Sequence, residues 1–456
     1  MKTTRCLFWS IPALCALAGI VIAISLWRTS RASGTAGFTV ATGAFTTGSR
    51  SQMPEVLWGA QLGSDKYDGA GWIVADAEDN LYLAGITKGN LAGTNAGEED
   101  VFLLKVDRYG NRLWAKQWGT PQEEACTGLA IDSEGNVYVF GFTWGDLFAT
   151  NPDPTKACSD IFVIKVNPQG NVVWSRQMGS EEREQVWAGG VDGQGNVVLA
   201  GVTDGSWFAT NDDIDFEPFL LKLRSDGEVL WGKQFSRRHF APKQLYLDGQ
   251  GNIYLAGQST HRDISLFGGT EDDAPDGFLA KFSPDCNLLW GRVMGTPEYD
   301  RATTLGVGGD TIYVMGAADI GETASEGEDV FLARYDINGN RLWYRVIVPR
   351  QEKPAPAEVL VDAFGNAILL GNSGGSFKRG DTPGVGEGDA WIAQLNAAGD
   401  VVRTWTWGST GWDTIGAAVW SRREPGVFYV VGATTSELFG THAGDTDIFV
   451  AKVRWY

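Results

Sequence analysis

The chain repeats itself at long range, and that repetition restricts the fold more than any other feature. Trp58, Trp114, Trp174, Trp231, Trp290, Trp343 and Trp405 recur at steps of 53 to 62 residues. In the same register an acidic residue stands five places before a Lys, Arg or Gln: Asp100/Lys105, Asp160/Lys165, Glu217/Lys222, Asp276/Lys281, Asp329/Arg334, Asp389/Gln394 and Asp447/Lys452. A Gly closes an earlier apolar run in every unit, at Gly85, Gly141, Gly201, Gly257, Gly316, Gly371 and Gly432. Seven units follow, each a supersecondary module that buries its apolar surface against its neighbours.

Within a unit the pattern is β throughout. The second unit reads "CTGLAID", "VYVFGFT", "IFVIKVN" and "VVWSRQMG", with the period-2 alternation of strands. The connections DSEGN and NPQGN, with DAEDN, DGQGN, DAFGN, DRYGN and DINGN elsewhere, are hairpin turns. Gly supplies positive φ there, and the Asp or Asn caps its own turn. The expected fold is all-β, a seven-bladed β-propeller of four-stranded antiparallel blades. The strand 55–63 precedes the first complete unit, and the last unit stops soon after its third strand. Strand 55–63 is therefore expected to complete the last blade and close the ring, which removes an open sheet edge. The propeller domain spans 55–456.

These phrases resemble the SBBP family, whose members carry seven-bladed β-propeller repeats. The resemblance rests on D-x-x-G-N-x-Y-x-x-G, then D-x-F-x-x-K, then G-N-x-x-W and a closing Gly-Ser or Gly-Thr. It covers nearly all of 55–456, and weakens at "VGGDTIYV" in the fifth blade and "SRREPGVFYV" in the seventh. It implies an exported propeller and no shared reaction. "VDRYGNRLW" also looks like the repeat of quinoprotein dehydrogenases, which implies pyrroloquinoline quinone and Ca²⁺. Against that reading, those propellers are usually eight-bladed, and no adjacent Cys pair is present.

The N-terminus reads as an export signal. Lys2 and Arg5 precede 22 uncharged residues, Cys6 to Trp27, and Ser30-Arg31-Ala32 offers a cleavage pattern. Residues 1–32 are a signal peptide or a membrane anchor, and the Gly/Thr/Ser-rich segment 33–54 is a flexible linker. The expected location is extracytoplasmic, secreted or anchored through residues 6–27. A formal charge of −19 excludes non-specific nucleic-acid binding. With three His in the whole chain, a His-rich metal site is not expected.

Strand order separates two faces. One carries the short Gly-Asn turns; the other carries every loop of variable length, where binding residues are expected. The variable loops are acidic, and the final acid of each is expected to cap backbone N–H groups. Glu98, Glu99, Asp212, Asp213 and Asp272 stand outside that regularity and are the Ca²⁺ candidates. A basic spot on the same face gathers Arg237, Arg238, His239 and Lys243 with His261 and Arg262. The Trp of each last strand is core. Off-register Trp144, Trp187, Trp207 and Trp412 are ligand candidates, Trp187 and Trp412 standing nearest the blade entrances. Cys126 and Cys158 both approach this face and are expected to form a disulfide in an oxidising compartment. No catalytic residue is assigned and no cofactor is required. The expected function is an exported, non-catalytic binding or scaffold module for a protein or glycan of the cell envelope. The alternatives are a quinoprotein-like oxidoreductase and a glycan-binding propeller.

Overall fold

The structure, a computed structural model, describes residues 39–41, 54–151, 158–211, 216–235, 240–259, 264–267, 276–295, 300–318, 328–348, 354–374 and 386–455. Seven antiparallel sheets form a ring. The first blade runs Asp68–Ala75, Leu81–Thr87, Asp100–Val106 and Arg112–Trp118 from the axis outward, and the next five repeat this order. The seventh takes Asp413–Trp420, Val427–Thr434 and Asp447–Arg454 from one end of the chain and Glu55–Leu62 from the other. Glu55 stands opposite Arg454, and Gln61 opposite Phe449. Thr39–Ala41, within the segment expected to be a linker, pairs antiparallel with Glu55–Leu62 and makes this sheet five-stranded. The inner strand of each blade touches the inner strand of the next, and Asp413–Trp420 touches Asp68–Ala75. Among the described residues the only helical element is the 3₁₀ turn Ile264–Phe267.

The second and third strands of a blade are buried along their length, as in Val137–Thr143 and Asp160–Val166, because sheets cover them on both faces. The outer strands begin exposed at the rim, as in Val172–Met178. The recurring Trp locks one blade to the next. Trp58, Trp114, Trp174 and Trp343 donate their indole N–H to the carbonyls of Arg108, Pro168, Ser225 and Ala397, each in the hairpin turn of the following blade. The ring covers the turn glycine there: Gly227 has φ of 88°, and an added Cβ would stand 3.0 Å from the Trp174 ring. In the fourth blade Cys286 takes the glycine's place at φ of 61°; it is a free thiol.

Two polar patterns fix each blade. On the turn face, Lys105, Lys165, Lys222 and Lys281 reach Asp76, Asp132, Asp192 and Asp248 at 3.6, 3.5, 3.0 and 3.7 Å. Those aspartates also cap their own turns: Asp192 accepts from the N–H groups of Gln194 and Asn196 at 2.9 Å each. At the opposite ends of the strands, Glu184 accepts from Ser180 N–H and Oγ at 2.6 Å and from Thr203 Oγ1 at 2.5 Å. Glu124 does the same with Thr120 and Thr143. Asp100 and Asp447, each the last acid of its loop, accept from Gln117 and Gln61 and from backbone N–H groups of their own loops. The capping role expected of these acids is what they perform.

Candidate channel-mouth site

Every inner strand carries a bulge at the same level. The register breaks at Ala70/Trp72, Cys126/Gly128, Val186/Ala188, Pro242/Gln244, Ala302/Thr304, Pro356/Glu358 and Ile415/Ala417. The residue before each break stands opposite one of the seven repeated glycines, as Val186 faces Gly201 and Ile415 faces Gly432. There the inner strand's backbone presses onto its neighbour: a Cβ on Gly201 would stand 2.1 Å from the Gln185 carbonyl oxygen. Only glycine admits that approach, and the bulge re-aims the next side chains. The extra residues are Gly71, Thr127, Trp187, Lys243, Thr303, Ala357 and Gly416. The glycines were visible in the sequence; taken as strand ends, they concealed the ring of bulges they mark.

The bulges surround the central channel. A cavity of about 170 Å³ is lined there by Trp72, Thr127, Ala188, Gln244, Glu358 and Ala417, among others. Glu358 accepts from Val359 N–H at 3.0 Å and Thr304 Oγ1 at 3.3 Å. It faces the channel, but protein surrounds it, and burial raises its carboxyl from 4.5 to about 7. Lys243 lies across the ring with Nζ 4.2 Å from the centroid of the Trp187 ring. Burial first, and the Arg301 charge second, bring its ammonium down from 10.5 to about 7. Trp187 in turn meets Phe216 edge-on at 6.4 Å, at the start of blade three's third strand. Lys243 and Trp187 therefore stand at the channel's end on the variable face.

The other sequence candidates separate. Trp187 and Lys243 come together. Trp412 stands apart, at the entrance to blade seven, and donates Nε1–H to Glu387 at 2.9 Å. Trp207 stacks on Phe208 at 4.3 Å in a cleft between blades two and three. Glu99 pairs with Lys88 at 3.1 Å. Beside them burial, then Glu99, raises the Glu123 carboxyl to about 7. Among the described residues no three carboxylates, His or Cys converge as a metal site. Arg237, Arg238, His239, His261, Arg262, Asp212, Asp213 and Asp272 lie outside the described residues, as do 1–32. Thr150 and Gly179 of the second cleft, with Asp160, complete the variable face between these blades.

The Cys126–Cys158 disulfide does not form. Glu124, Thr143 and Asp160 share one rung of blade two. Cys126 lies two residues to one side of that rung and Cys158 two residues to the other, on strands separated by a third. The offset is about 16 Å in a regular sheet, and a disulfide needs Cα atoms within about 7 Å. Burial pushes the Cys126 thiol up to about 12 instead.

Residues 113–149 match the family described as SBBP, beta-propeller repeat. An uncharacterized WD repeat-containing protein of Acanthamoeba polyphaga mimivirus is 20% identical over 331 residues, 63% of this chain and 23% of that protein. The regulatory protein FlaEY of Caulobacter vibrioides is 24% identical over 303 residues, 59% of this chain and 31% of that protein. The chain thus spans less than a third of the length of either relative. Among solved structures, polysaccharide lyase Uly1 aligns over 86% of this chain and 90% of that one, with 10% identity and a TM-score of 0.49. The WD40 domain of Neurospora crassa Pan2 aligns over 84% and 88%, with 11% identity and a TM-score of 0.45. By its ring of blades this chain is a seven-bladed β-propeller, and its residues 113–149 match the SBBP beta-propeller repeat.

Proposed function

We propose that the protein is an extracytoplasmic binding and scaffold propeller, carried out of the cytoplasm by residues 1–32, that engages its partner on the variable face. The observation that carries this reading is the distribution of satisfied polar groups. On the turn face, blade after blade, lysines, aspartates and indoles are spent on capping and on joining blades. At the channel mouth Trp187, Lys243 and Glu358 are half-buried and stand outside such a pattern. Side chains held in place by a rigid scaffold and not used by it are the usual material of a binding site. The WD-repeat relative supports a scaffold role as the coarse class.

Site-specific photo-crosslinking in the native cell tests the proposal. A crosslinker replacing Trp412 on the variable face should capture an envelope component, in the extracytoplasmic fraction. The same group replacing Phe364, 87% exposed in a turn of the opposite face, should not. Equal capture from both positions, or a protein that stays in the cytosol, contradicts the reading.

A further inference from the structure

We propose that the channel cavity binds a small methylated ammonium ion, with the Glu358 carboxylate as its counter-charge and the Trp72 indole as its apolar wall. The proposal rests on the channel being part of the binding site. The ring of residues that follow the seven bulges carries it. Trp72, Gly128, Ala188, Gln244, Thr304, Glu358 and Ala417 each come first after a break in register, so they stand at one level around the axis. All but Thr304 line the cavity.

The two halves of that ring differ. Blades seven, one, two and three supply Ala417, Trp72, Gly128 and Ala188, which are three small residues and one indole. Blades four, five and six supply Gln244, Thr304 and Glu358, three polar groups side by side. Trp72 is half-buried and lines the cavity, with its Nε1–H tied to the Cys126 carbonyl at 3.4 Å. Glu358 is the one charged group of the lining. Thr304 Oγ1 donates to it at 3.3 Å and Val359 N–H at 3.0 Å. No Lys, Arg or His lines the cavity; Lys243 precedes Gln244 in the chain but is not in the lining. Burial raises the Glu358 carboxyl to about 7, and no charge of a described residue acts on it.

A carboxylate so placed calls for a cation, and the lining narrows which. A hard divalent ion needs about six or more oxygen ligands, and among the described residues no such donor set converges. A primary ammonium brings three N–H donors to be satisfied, against a lining with one carboxylate. A methylated nitrogen needs no acceptors; it takes one counter-charge and an aromatic or apolar wall. The cavity of about 170 Å³ equals about five or six water molecules, which suits a small molecule and no folded partner. The formal charge of −19 concentrates cations near the protein and repels anions. The Gln244 side-chain oxygen accepts from Leu245 N–H at 3.3 Å, which leaves its NH₂ group for a hydroxyl of the ligand.

Calorimetric titration of the purified full chain at a pH above 7 tests the assignment, with choline as probe. The controls are 3,3-dimethylbutan-1-ol, which has the same shape without the charge, and ethanolamine, which has the charge without the methyl groups. Choline should bind saturably and about tenfold or more tighter than either. Glu358→Gln should weaken choline about tenfold to a hundredfold and leave 3,3-dimethylbutan-1-ol unchanged, so a collapsed cavity is told apart from a lost charge. Trp72→Leu should weaken choline about threefold to tenfold. Several outcomes overturn the proposal: no saturable binding of choline, equal binding of either control, or unchanged choline binding by a folded Glu358→Gln. If these occur while the crosslinker at position 412 still captures a partner, the cation site alone falls. If neither probe engages, the variable face itself is the wrong surface.

Discussion

Lys222, buried, and Lys243, half-buried, are lysines on neighbouring blades, and they have opposite fates. Lys222 reaches Asp192 at 3.0 Å, and that aspartate is itself anchored by its turn. Lys243 lies on a strand bulge with its ammonium over the Trp187 indole. The first kind of lysine recurs in blades one to four and joins a strand end to a hairpin turn. The second occurs at a bulge position that Gly, Thr or Ala occupies in five other blades. A repeat protein thus exposes its exceptions: where seven units share one solution, the residue that leaves it has a different task.

The largest way to break the comparison is to break the ring. Removing residues 55–62 strips the outer strand from blade seven, with the buried Trp58, Ala60 and Leu62. The expected loss exceeds about 5 kcal/mol, comparable to the whole stability of many domains. Circular dichroism melting should show a collapsed or absent transition, and an unchanged one would mean that the blade does not need this strand.

Next come the joints between blades. Trp174→Ala removes an indole bonded to Ser225 and packed on the next turn, and should cost about 3 kcal/mol in denaturant unfolding. Trp187→Ala should cost less, since that indole makes no such bond. Equal losses would put Trp187 among the structural tryptophans. Gly227→Ala is smaller again, about 1–2 kcal/mol for a side chain at φ of 88° under the Trp174 ring.

The pH profile separates the two channel groups by sign. Glu358 holds its proton more tightly folded, about 7 against 4.5. The folded chain then carries more protons, so this group makes stability fall as pH rises through that window. Lys243 holds its proton less tightly folded, about 7 against 10.5, so it makes stability rise as pH climbs through its own window. Urea titrations across both windows should show Glu358→Gln flattening only the first slope and Lys243→Met only the second.

The fold was legible because its punctuation is local. A Gly-Asn turn needs one φ, a Trp every 53 to 62 residues marks one strand, and strand order then follows from hairpin chemistry. The capping acids were legible for the same reason. The site was only half legible. Trp187 stood out as a Trp out of register and Lys243 as a charge in a basic loop. That they would stack depends on bulges in two strands of different blades, which no local pattern specifies. The disulfide expectation failed on the same ground, since face alone does not say how far along a strand a residue lies. The bulge level itself was written in Gly141, Gly201 and their equivalents, whose purpose becomes clear once the opposing backbone is seen.

The most direct test of the contrast is the thermal unfolding of Lys222→Met and Lys243→Met, side by side, without ligand. The account predicts that the first melts below the wild type, because Asp192 is left without its cation, and that the second melts above it. If both melt lower, Lys243 is a structural lysine like the others and the channel mouth loses its claim to be a site.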